Sequence, residues 1–499
     1  MAKIHDLIKE GTRMDKEKKS GNIFKRRIGR RAFLKTSLAS GVGGLVGAEL
    51  LRPRSASAFG GTTIQKHGEY VVEHTRKIPI VRDVDVLVVG GGMAGIGAAV
   101  AAGRMGYSTL LVEYFGCLGG NGTSGMVNNF CGYSSSSGPG KPAFQIVKGV
   151  GDDVLANLYA RGGISSRTST RFNPEILKMV LDDMMAEANV EVLYYTQMVD
   201  TILERNTVKG ITIENKGGRQ AILAKRVCDC TGDGDVCAMA DVPFELGDGA
   251  GGFLACDTAH HLVNVGTYSS SQLNAAIAAA IAAGDTRITR PQVIMQNILI
   301  PGAYWVNWAG VPWKVNGIDP DQLSKAAVDG RKVADGLKDF LKENVPGFEN
   351  ADIIDTAPKM GLRETRRVMG DYVLTREDVL DGVKFADGIG ACAWPIEIVD
   401  PDPLKGRTFE NLRNPQDYYL IPYRCLLPER TNNLLMAGRF VSCTHLAQAS
   451  TRVMGPAVVM GQAVGTAAAL SIEIRVSPRK LNVGLLQNEL RNAGAFLGD

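Results

Sequence analysis

The 499-residue chain has few of the residues that build metal or thiol redox centres: nine cysteines and six histidines. No two cysteines stand in Cys-x-x-Cys spacing, and Cys228, Cys230 and Cys237 come nearest to a cluster. The odd count without framework spacing argues against a disulfide scaffold, and the absence of Cys-x-x-Cys-His removes covalent haem. The expectation is buried free thiols, with no metal and no iron–sulfur cluster. Aromatic residues make up only 6%, and three of the four tryptophans, Trp305, Trp308 and Trp313, fall in one short stretch. The apolar run from Thr36 to Leu51 is broken by Gly41, Gly43, Gly44, Gly47 and Glu49, too short and too polar to span a bilayer. No internal repeat or low-complexity tract is visible.

Charge is unevenly placed. Residues 1–58 hold 14 Lys/Arg against 5 Asp/Glu, an excess of nine positive charges, so the net +4 of the whole chain becomes −5 for the remainder. The basic balance therefore belongs to the N-terminal segment, and nothing argues for nucleic acid or an acidic membrane surface as partner. Within that segment Arg30-Arg31-Ala32-Phe33-Leu34-Lys35 resembles a twin-arginine export signal, followed by the weakly apolar run and by Ala56-Ser57-Ala58, a small-residue cleavage site. The resemblance implies export through the twin-arginine translocase to a periplasmic or extracellular location, with residues 1–58 as the signal peptide. The stretch before the arginines is long for a leader, which leaves open a start later than Met1.

What the chain has in quantity is glycine, 59 residues. Asp85-Val86-Leu87-Val88-Val89 reads as a buried strand, Gly90-Gly91-Gly92-Met93-Ala94-Gly95 as a tight turn, and the Ala-rich stretch after it as a helix. Leu110-Leu111-Val112 then reads as a second strand ending in Glu113, the order of a dinucleotide-binding βαβ unit. Gly90 permits the turn, Gly92 lets the backbone approach a pyrophosphate, Gly95 lets the helix pack close, and Glu113 accepts from a ribose. The pyrophosphate would sit at the helix N-terminus, where unpaired amides and the dipole favour an anion. The loop from Phe115 to Gly125, with Gly119 and Gly120, offers a second cradle for the same ligand.

Further along, Asn173-Pro174 predicts a helix start, with Leu177, Val180, Leu181 and Met184 at core spacing. Val190–Tyr195 predicts a strand, Val199–Glu214 a hairpin, and Arg226–Cys230 a strand that stops at Thr231-Gly232-Asp233-Gly234-Asp235, where the chain meets the cofactor again. Residues 241–424 carry all four tryptophans and the basic run Arg363-Glu364-Thr365-Arg366-Arg367, and read as a substrate domain. Leu434–Arg439 returns as a buried strand, and a long Ala/Gly helix over 456–472 follows. The expected division is a lead-in over 59–83, a nucleotide domain in two parts, 84–240 and 425–499, and the inserted substrate domain. Gly247-Asp248-Gly249-Ala250-Gly251-Gly252 repeats the glycine spacing but has no apolar strand before it, so a second dinucleotide site is not expected.

Five blocks now agree: the fingerprint with Glu113, the Gly119-Gly120 loop, Cys230–Asp235, Gly361–Arg367, and Ala437-Gly438-Arg439 through Arg452-Val453-Met454-Gly455. Together, over about 84–475, they resemble the FAD-dependent oxidoreductase family, a branch of the glutathione-reductase-like flavoproteins distantly related to the flavin-binding part of heterodisulfide reductase. The resemblance implies an α/β fold: a Rossmann-like FAD-binding domain, its parallel sheet carrying a β-hairpin insertion and its sequence discontinuous, plus an inserted α+β substrate domain. It implies FAD rather than NAD. Gly90, Gly92, Gly95 and Glu113 would hold the adenosine half, and Gly119, Gly120 and Thr123 would lie near the pyrophosphate and ribityl chain. Thr231, Gly232, Asp233, Asp235, Gly438 and Arg439 would line the cofactor, and Val199 would meet the adenine through its backbone. The last helix, starting around Gly455-Pro456-Ala457, would point its amides at the flavin pyrimidine ring. One departure stands out. Many members of the resembled family carry Asp-x-His after an apolar Pro-Ile step, whereas here Pro395-Ile396 leads into Glu397-Ile398-Val399, with Val399 in the place of the histidine.

For proton handling, His445 follows the Gly438-Arg439 strand and is a candidate general acid/base, with a packed histidine bonded to backbone as the competing reading. Arg363, Arg366 and Arg367 are candidates to clamp a carboxylate or an oxyanion, against a structural ion-pair role with Glu364 or Asp371. His260-His261 suits a surface or structural role better. Tyr372 and Tyr423 are weaker candidates. Cys117, beside the glycine loop, is either a redox or flavin-linking thiol or a small packed one. The expected function is hydride transfer between a small organic substrate and flavin N5. Electrons would be exchanged with a quinone or a small redox protein, because no nicotinamide fold is present. Two other readings stay open: non-redox lyase or hydratase action on a flavoprotein scaffold, and a flavin electron-carrier subunit.

Overall fold

The computed structural model describes residues 66–67, 70–71, 75–136, 142–402, 405–414 and 417–498. The twin-arginine segment lies outside these residues. A two-stranded hairpin, β1 (Lys66–His67) with β2 (Tyr70–Val71), belongs to a first unit, Met1–Arg76. The second unit, Lys77–Asp499, holds all the elements below.

It opens with β3 (Ile80–Val89), α1 (Met93–Arg104) and β4 (Thr109–Val112), the predicted βαβ order. Val86–Val89 and Leu110–Val112 are buried on both faces, which is why they read as unbroken apolar runs rather than alternating ones. α2 (Val150–Ala160) and α3 (Pro174–Glu187) follow. The Asn173 side chain accepts from the amides of Glu175 and Ile176 at 2.9 and 3.3 Å, and Pro174 takes the first helical position, as the sequence predicts. β5 (Val190–Leu193), the hairpin β6 (Gln197–Glu204) and β7 (Thr207–Asn215), and β8 (Gly218–Asp229) complete the first pass. The sheet order is β5-β4-β3-β8-β7-β6, parallel from β5 to β8 and antiparallel through the hairpin.

A short α4 (Asp235–Met239) and β9 (Phe244–Leu246) lead out of this sheet. A second, antiparallel sheet is built from β10 (Thr258–Val263), β11 (Met295–Asn297), β12 (Tyr304–Ala309) and β13 (Asp352–Thr356), in the order β11-β12-β10-β13. It packs with α5 (Ser270–Ala282) and α6 (Pro320–Asn344) around its own core of Leu262, Ile277, Trp308, Leu337, Phe340 and Phe348. β14 (Arg366–Val368) returns to pair with β9, followed by α7 (Arg376–Leu380), β15 (Gly388–Cys392), β16 (Ile396–Val399), β17 (Arg407–Glu410) and β18 (Tyr419–Pro422). Val368, Leu380, Ile389, Tyr419 and Leu426 pack into the core of the first sheet. The stretch 241–424 therefore divides: its middle forms a separate layer, and its last third shares the nucleotide core.

β19 (Leu434–Met436) pairs in parallel with the C-terminal end of β8, and α8 (His445–Thr451), α9 (Met454–Glu473) and α10 (Val483–Asn492) close the chain. α9 is apolar all round because it is buried on nearly every side. It lies against α1 through small residues. A methyl group on Gly461 or Gly465 would come within 2.0 and 2.1 Å of the Ala94 and Ala98 carbonyl oxygens, and one on Gly97 within 2.4 Å of the Val458 oxygen. The alanine and glycine excess is thus the condition for this close helix pair.

Candidate flavin groove and substrate cavity

At the C-terminal end of β3 the chain turns through Gly90, held at φ +101°, a conformation that L side chains rarely adopt. A Cβ here would stand 2.4 Å from the Cys230 carbonyl oxygen, so glycine is required twice over. The Gly91 amide donates to Glu113 Oε2 at 2.6 Å and the Phe115 amide to Oε1 at 2.7 Å, which fixes the acid beside the turn. α1 begins at Gly92 with no side-chain cap, and its first helical bond runs from Ile96 to the Gly92 oxygen at 2.9 Å. The amides at its start therefore face the groove, which Met93 and Ala94 help to line.

The second glycine loop sits directly on the first. The Gly119 amide donates to the Gly91 oxygen at 2.8 Å, and a Cβ on Gly120 would lie 2.9 Å from the Gly92 Cα. Gly92 itself faces open space, with nothing within 4 Å of an added Cβ. Opposite, buried Asp229 accepts from the Thr231 hydroxyl at 2.8 Å and the Cys237 amide at 3.0 Å, and so shapes the Thr231–Asp235 loop. Asp233 accepts from Thr365 Oγ1 at 2.7 Å and pairs with Arg439. Arg366 donates to Asp235 Oδ1 at 2.8 Å and to the Asp233 carbonyl at 3.0 Å. Burial, reinforced by Asp233, pushes the Asp235 carboxyl up to about 6.

These elements enclose a groove of about 410 Å³, lined by both glycine loops, Glu113, Thr231–Asp233, Gly438, Arg439 and Ala457. The open face over Gly92, the uncapped helix start and the flanking acid fit the pyrophosphate and ribose of a dinucleotide. The groove shares Asn121, Arg439, Arg452 and Met454 with a second cavity of about 280 Å³. Its walls come from the second sheet (Gln296, Trp305), the Gly361–Arg363 turn, and Trp394 and Glu397. Many of its polar atoms are buried without a hydrogen-bond partner among the described residues: the Asn121, Asn129 and Gln296 side-chain oxygens, the Trp305 and Trp394 indole nitrogens, and the Arg439 and Arg452 Nε atoms. Buried polar atoms are ordinarily satisfied, so such a set around one cavity marks a place for a polar ligand.

Residues 85–490 match the FAD dependent oxidoreductase family, and the chain belongs to it. It is an FAD enzyme with an α/β fold, in which a Rossmann-like sheet is interrupted by an inserted layer. The tRNA uridine 5-carboxymethylaminomethyl modification enzyme MnmG of Alkaliphilus oremlandii is 31% identical over 160 residues, which cover 29% of this chain and 24% of that one, so the chain spans about a quarter of the curated relative it matches. Among solved structures, a geranylgeranyl bacteriochlorophyll reductase-like protein of Thermoplasma acidophilum aligns with a TM-score of 0.42, 14% identity and coverage of 82% and 83% of the two chains. GidA of Aquifex aeolicus aligns with a TM-score of 0.42, 14% identity and coverage of 82% and 67%.

Of the residues singled out for the cofactor, Gly90, Gly92, Glu113, Gly119, Gly120, Thr231, Gly232, Asp233, Asp235, Gly438, Arg439 and Ala457 line the groove. Gly95 supports it from behind, since a Cβ there would be 1.9 Å from the Gly90 oxygen. Thr123 is turned to the Leu118 carbonyl at 2.5 Å, and Gly455 packs on the Gly132 carbonyl, so neither lines the groove. At the hairpin, Thr196, Gln197 and Met198 reach it rather than Val199, because the strand enters two residues earlier than its apolar alternation suggests.

The catalytic candidates separate. Arg363 lines the second cavity. Arg366 is engaged with Asp235, and Arg367 is buried with Glu364 and Glu245. His445 lines neither cavity: its Nδ1 lies 2.8 Å from Glu364 Oε1, inside the network that holds Arg367. Tyr372 donates to Asp378 and buried Tyr423 to the Pro478 carbonyl. Cys117 lies 3.4 Å from the Ser124 hydroxyl and lines neither cavity. All nine cysteines are free thiols, and no cluster of metal-ligand type occurs among the described residues. His260 and His261 are buried on β10, and the Gly247–Gly252 repeat is a turn in which Asp248 accepts from the Ala250 and Gly252 amides.

Several site residues belong to no motif and so carry no signal in the sequence. Lys359 lines the groove, and burial beside Arg439 lowers its pKa. Asp257, just before β10, and Arg407, at the start of β17, both line the second cavity, although a long stretch of chain separates them.

Proposed function

We propose that the second cavity is where a small organic anion meets the flavin, and that the chain is an exported FAD-dependent oxidoreductase of the glutathione-reductase-like flavoproteins. The observation that carries this reading is the common wall: Asn121, Arg439, Arg452 and Met454 belong to both spaces. Bound FAD supplies hydride acceptance or donation at N5. The chain's residues bind and orient. Arg363 and Arg452 present guanidinium groups that match a planar carboxylate, and the Trp305 and Trp394 indoles offer N–H donors and apolar faces. Arginine neighbours hold Asp257 and Glu397 below the usual carboxylate range, and burial pushes the Cys131 thiol up to about 12. These groups keep one charge state near neutral pH and serve binding rather than proton exchange.

Electrons leave to, or arrive from, a quinone or a small redox protein. The single glycine fingerprint supports this: a strand does precede the Gly247–Gly252 turn, but it is the three-residue β9, paired antiparallel with β14 rather than set in a parallel βαβ unit. Export rests on Arg30-Arg31-Ala32-Phe33-Leu34-Lys35 and the Ala56-Ser57-Ala58 site. The test is the visible spectrum of residues 59–499 before and after acid precipitation, followed by anaerobic addition of organic acids. Flavin released to the supernatant and bleached by a substrate is the expected result. Turnover without bleaching would favour lyase or hydratase action, and an unreactive flavin that titrates only with a protein partner would favour an electron carrier.

A further inference from the structure

The second cavity carries more positive charge than its own carboxylates neutralise. Asp257 pairs with Arg363 and with Arg290, the latter at 3.1 Å. Glu397 pairs with Arg452 at 2.8 Å and with Arg407 at 3.2 Å. Each carboxylate is thus bracketed by two guanidiniums, and each triad keeps one positive charge. Arg439, the remaining arginine of the wall, is balanced by Asp233. Arginine does not lose its proton in proteins, so the excess cannot be relieved by titration. Side chains of Asp257, Arg290, Arg363, Glu397 and Arg452 are all within 13% of full burial, and uncompensated charge in such surroundings is costly. The two triads are centred on different elements, Asp257 before β10 and Glu397 in β16.

We propose that this cavity is built for a dianion, a small organic molecule whose two carboxylates each complete one arginine–carboxylate–arginine triad. The two centres lie on different elements yet within charge–charge range, Arg363 acting on Glu397 as well as on Asp257, which suits the two charges of a short carbon skeleton. The unpaired Asn129, Gln296 and Trp305 groups then serve polar substituents between the ends. This inference rests on the reading that the cavity faces the flavin.

The test uses the FAD-loaded protein with succinate, glutarate, butyrate and inorganic phosphate as probes. Binding is read twice, by the rise in melting temperature and by the shift of the flavin absorption bands. A dicarboxylate is expected to bind roughly tenfold or more tightly than butyrate, and Arg407→Gln to bring the two within about twofold. Equal binding of succinate and butyrate by wild-type protein overturns the proposal, as does no stabilisation by either dicarboxylate. Phosphate binding as tightly as the dicarboxylates overturns the two-carboxylate assignment. Stabilisation by dicarboxylates with an unmoved flavin spectrum upholds the dianion site and defeats the flavin-facing reading. Flavin bleached by a substrate that neither dicarboxylate competes with does the reverse.

Discussion

Arg452 donates to Glu397 across 2.8 Å in the wall of the second cavity, and Arg452 is also part of the flavin groove. Both side chains are about nine-tenths buried, and Glu397 keeps a second partner in Arg407. Arg452→Met should therefore cost about 1–3 kcal/mol, less than breaking an isolated buried pair, because the carboxylate is not left alone. Glu397→Gln should cost less in that background than in the wild-type protein, where it strands two arginines rather than one. Denaturant unfolding of the two single variants and the double variant measures this, and strictly additive effects would remove the coupling.

The glycines of the first turn divide by what a methyl group meets. Gly92→Ala adds a methyl into open space at φ −71°, ψ −178°, which alanine adopts freely, so the apoprotein should keep or slightly gain stability, by about 0.4–1 kcal/mol. FAD should be lost, because the methyl fills the space proposed for the pyrophosphate. Gly95→Ala instead drives a methyl to within 1.9 Å of the Gly90 oxygen and should destabilise the apoprotein by about 1–3 kcal/mol or more. Melting temperature with and without FAD separates the two, and full flavin occupancy in Gly92→Ala would reject this placement of the cofactor.

Much of this groove is legible in the sequence because its requirements are local. Gly90, Gly92, Gly95 and Glu113 act within one βαβ unit, and close backbone approach leaves a readable mark on residue choice. The second cavity is not legible in the same way. Glu397 and Arg407 share the β16–β17 hairpin, but Asp257, Arg290, Arg363 and Arg452 come from separate stretches of chain with no common spacing, so only the fold brings them together. The Pro395-Ile396-Glu397 step stands out in the sequence for the histidine it lacks, whereas the structure shows Glu397 as the carboxylate that holds two arginines. Trp305, Trp308 and Trp313 read as one cluster, yet only Trp305 reaches the cavity. Trp308 fills the core of the second sheet, and Trp313 lies under the Lys325 ammonium. Strand alternation divides Trp305 from Trp308, which are an odd number of residues apart on β12 and face opposite ways, while Trp313 lies beyond the end of that strand.

His445 illustrates how nearness in sequence misleads. It follows a strand that ends at the groove, but its ring is held by Glu364, which also binds Arg367 at 2.6 Å. His445→Ala should lower stability by about 1–2 kcal/mol through the lost hydrogen bond to a buried carboxylate. Flavin content and the rate of flavin reduction should stay within about threefold of wild type, less than the roughly 10²–10⁴-fold that loss of a general acid or base costs. Stopped-flow reduction of the two proteins decides the matter, and a loss of about 100-fold or more would return the histidine to the chemistry.

His260 sets a pH dependence that owes nothing to the flavin. It sits in the middle of the second sheet, opposite Val306 on one side and Thr356 on the other, and neither ring nitrogen has a hydrogen-bond partner among the described residues. Burial lowers its pKa from 6.5 to about 4, so the folded protein keeps the ring neutral where the unfolded chain would protonate it. Between those values the unfolded state binds more protons, and stability present above pH 6.5 is lost as pH falls toward 4, by at most about 3 kcal/mol from this group. Asp257 and Glu397, both held low by arginines, lose stability in the same direction at lower pH, so the wild-type profile alone does not isolate the histidine. His260→Leu keeps an apolar side chain of similar bulk and removes the titration. Its stability relative to wild type, measured by urea unfolding from about pH 7 to pH 4, should rise steadily in the variant's favour as the pH falls. A difference that stays constant over that range would mean the ring is protonated, or reached by water, in the folded protein.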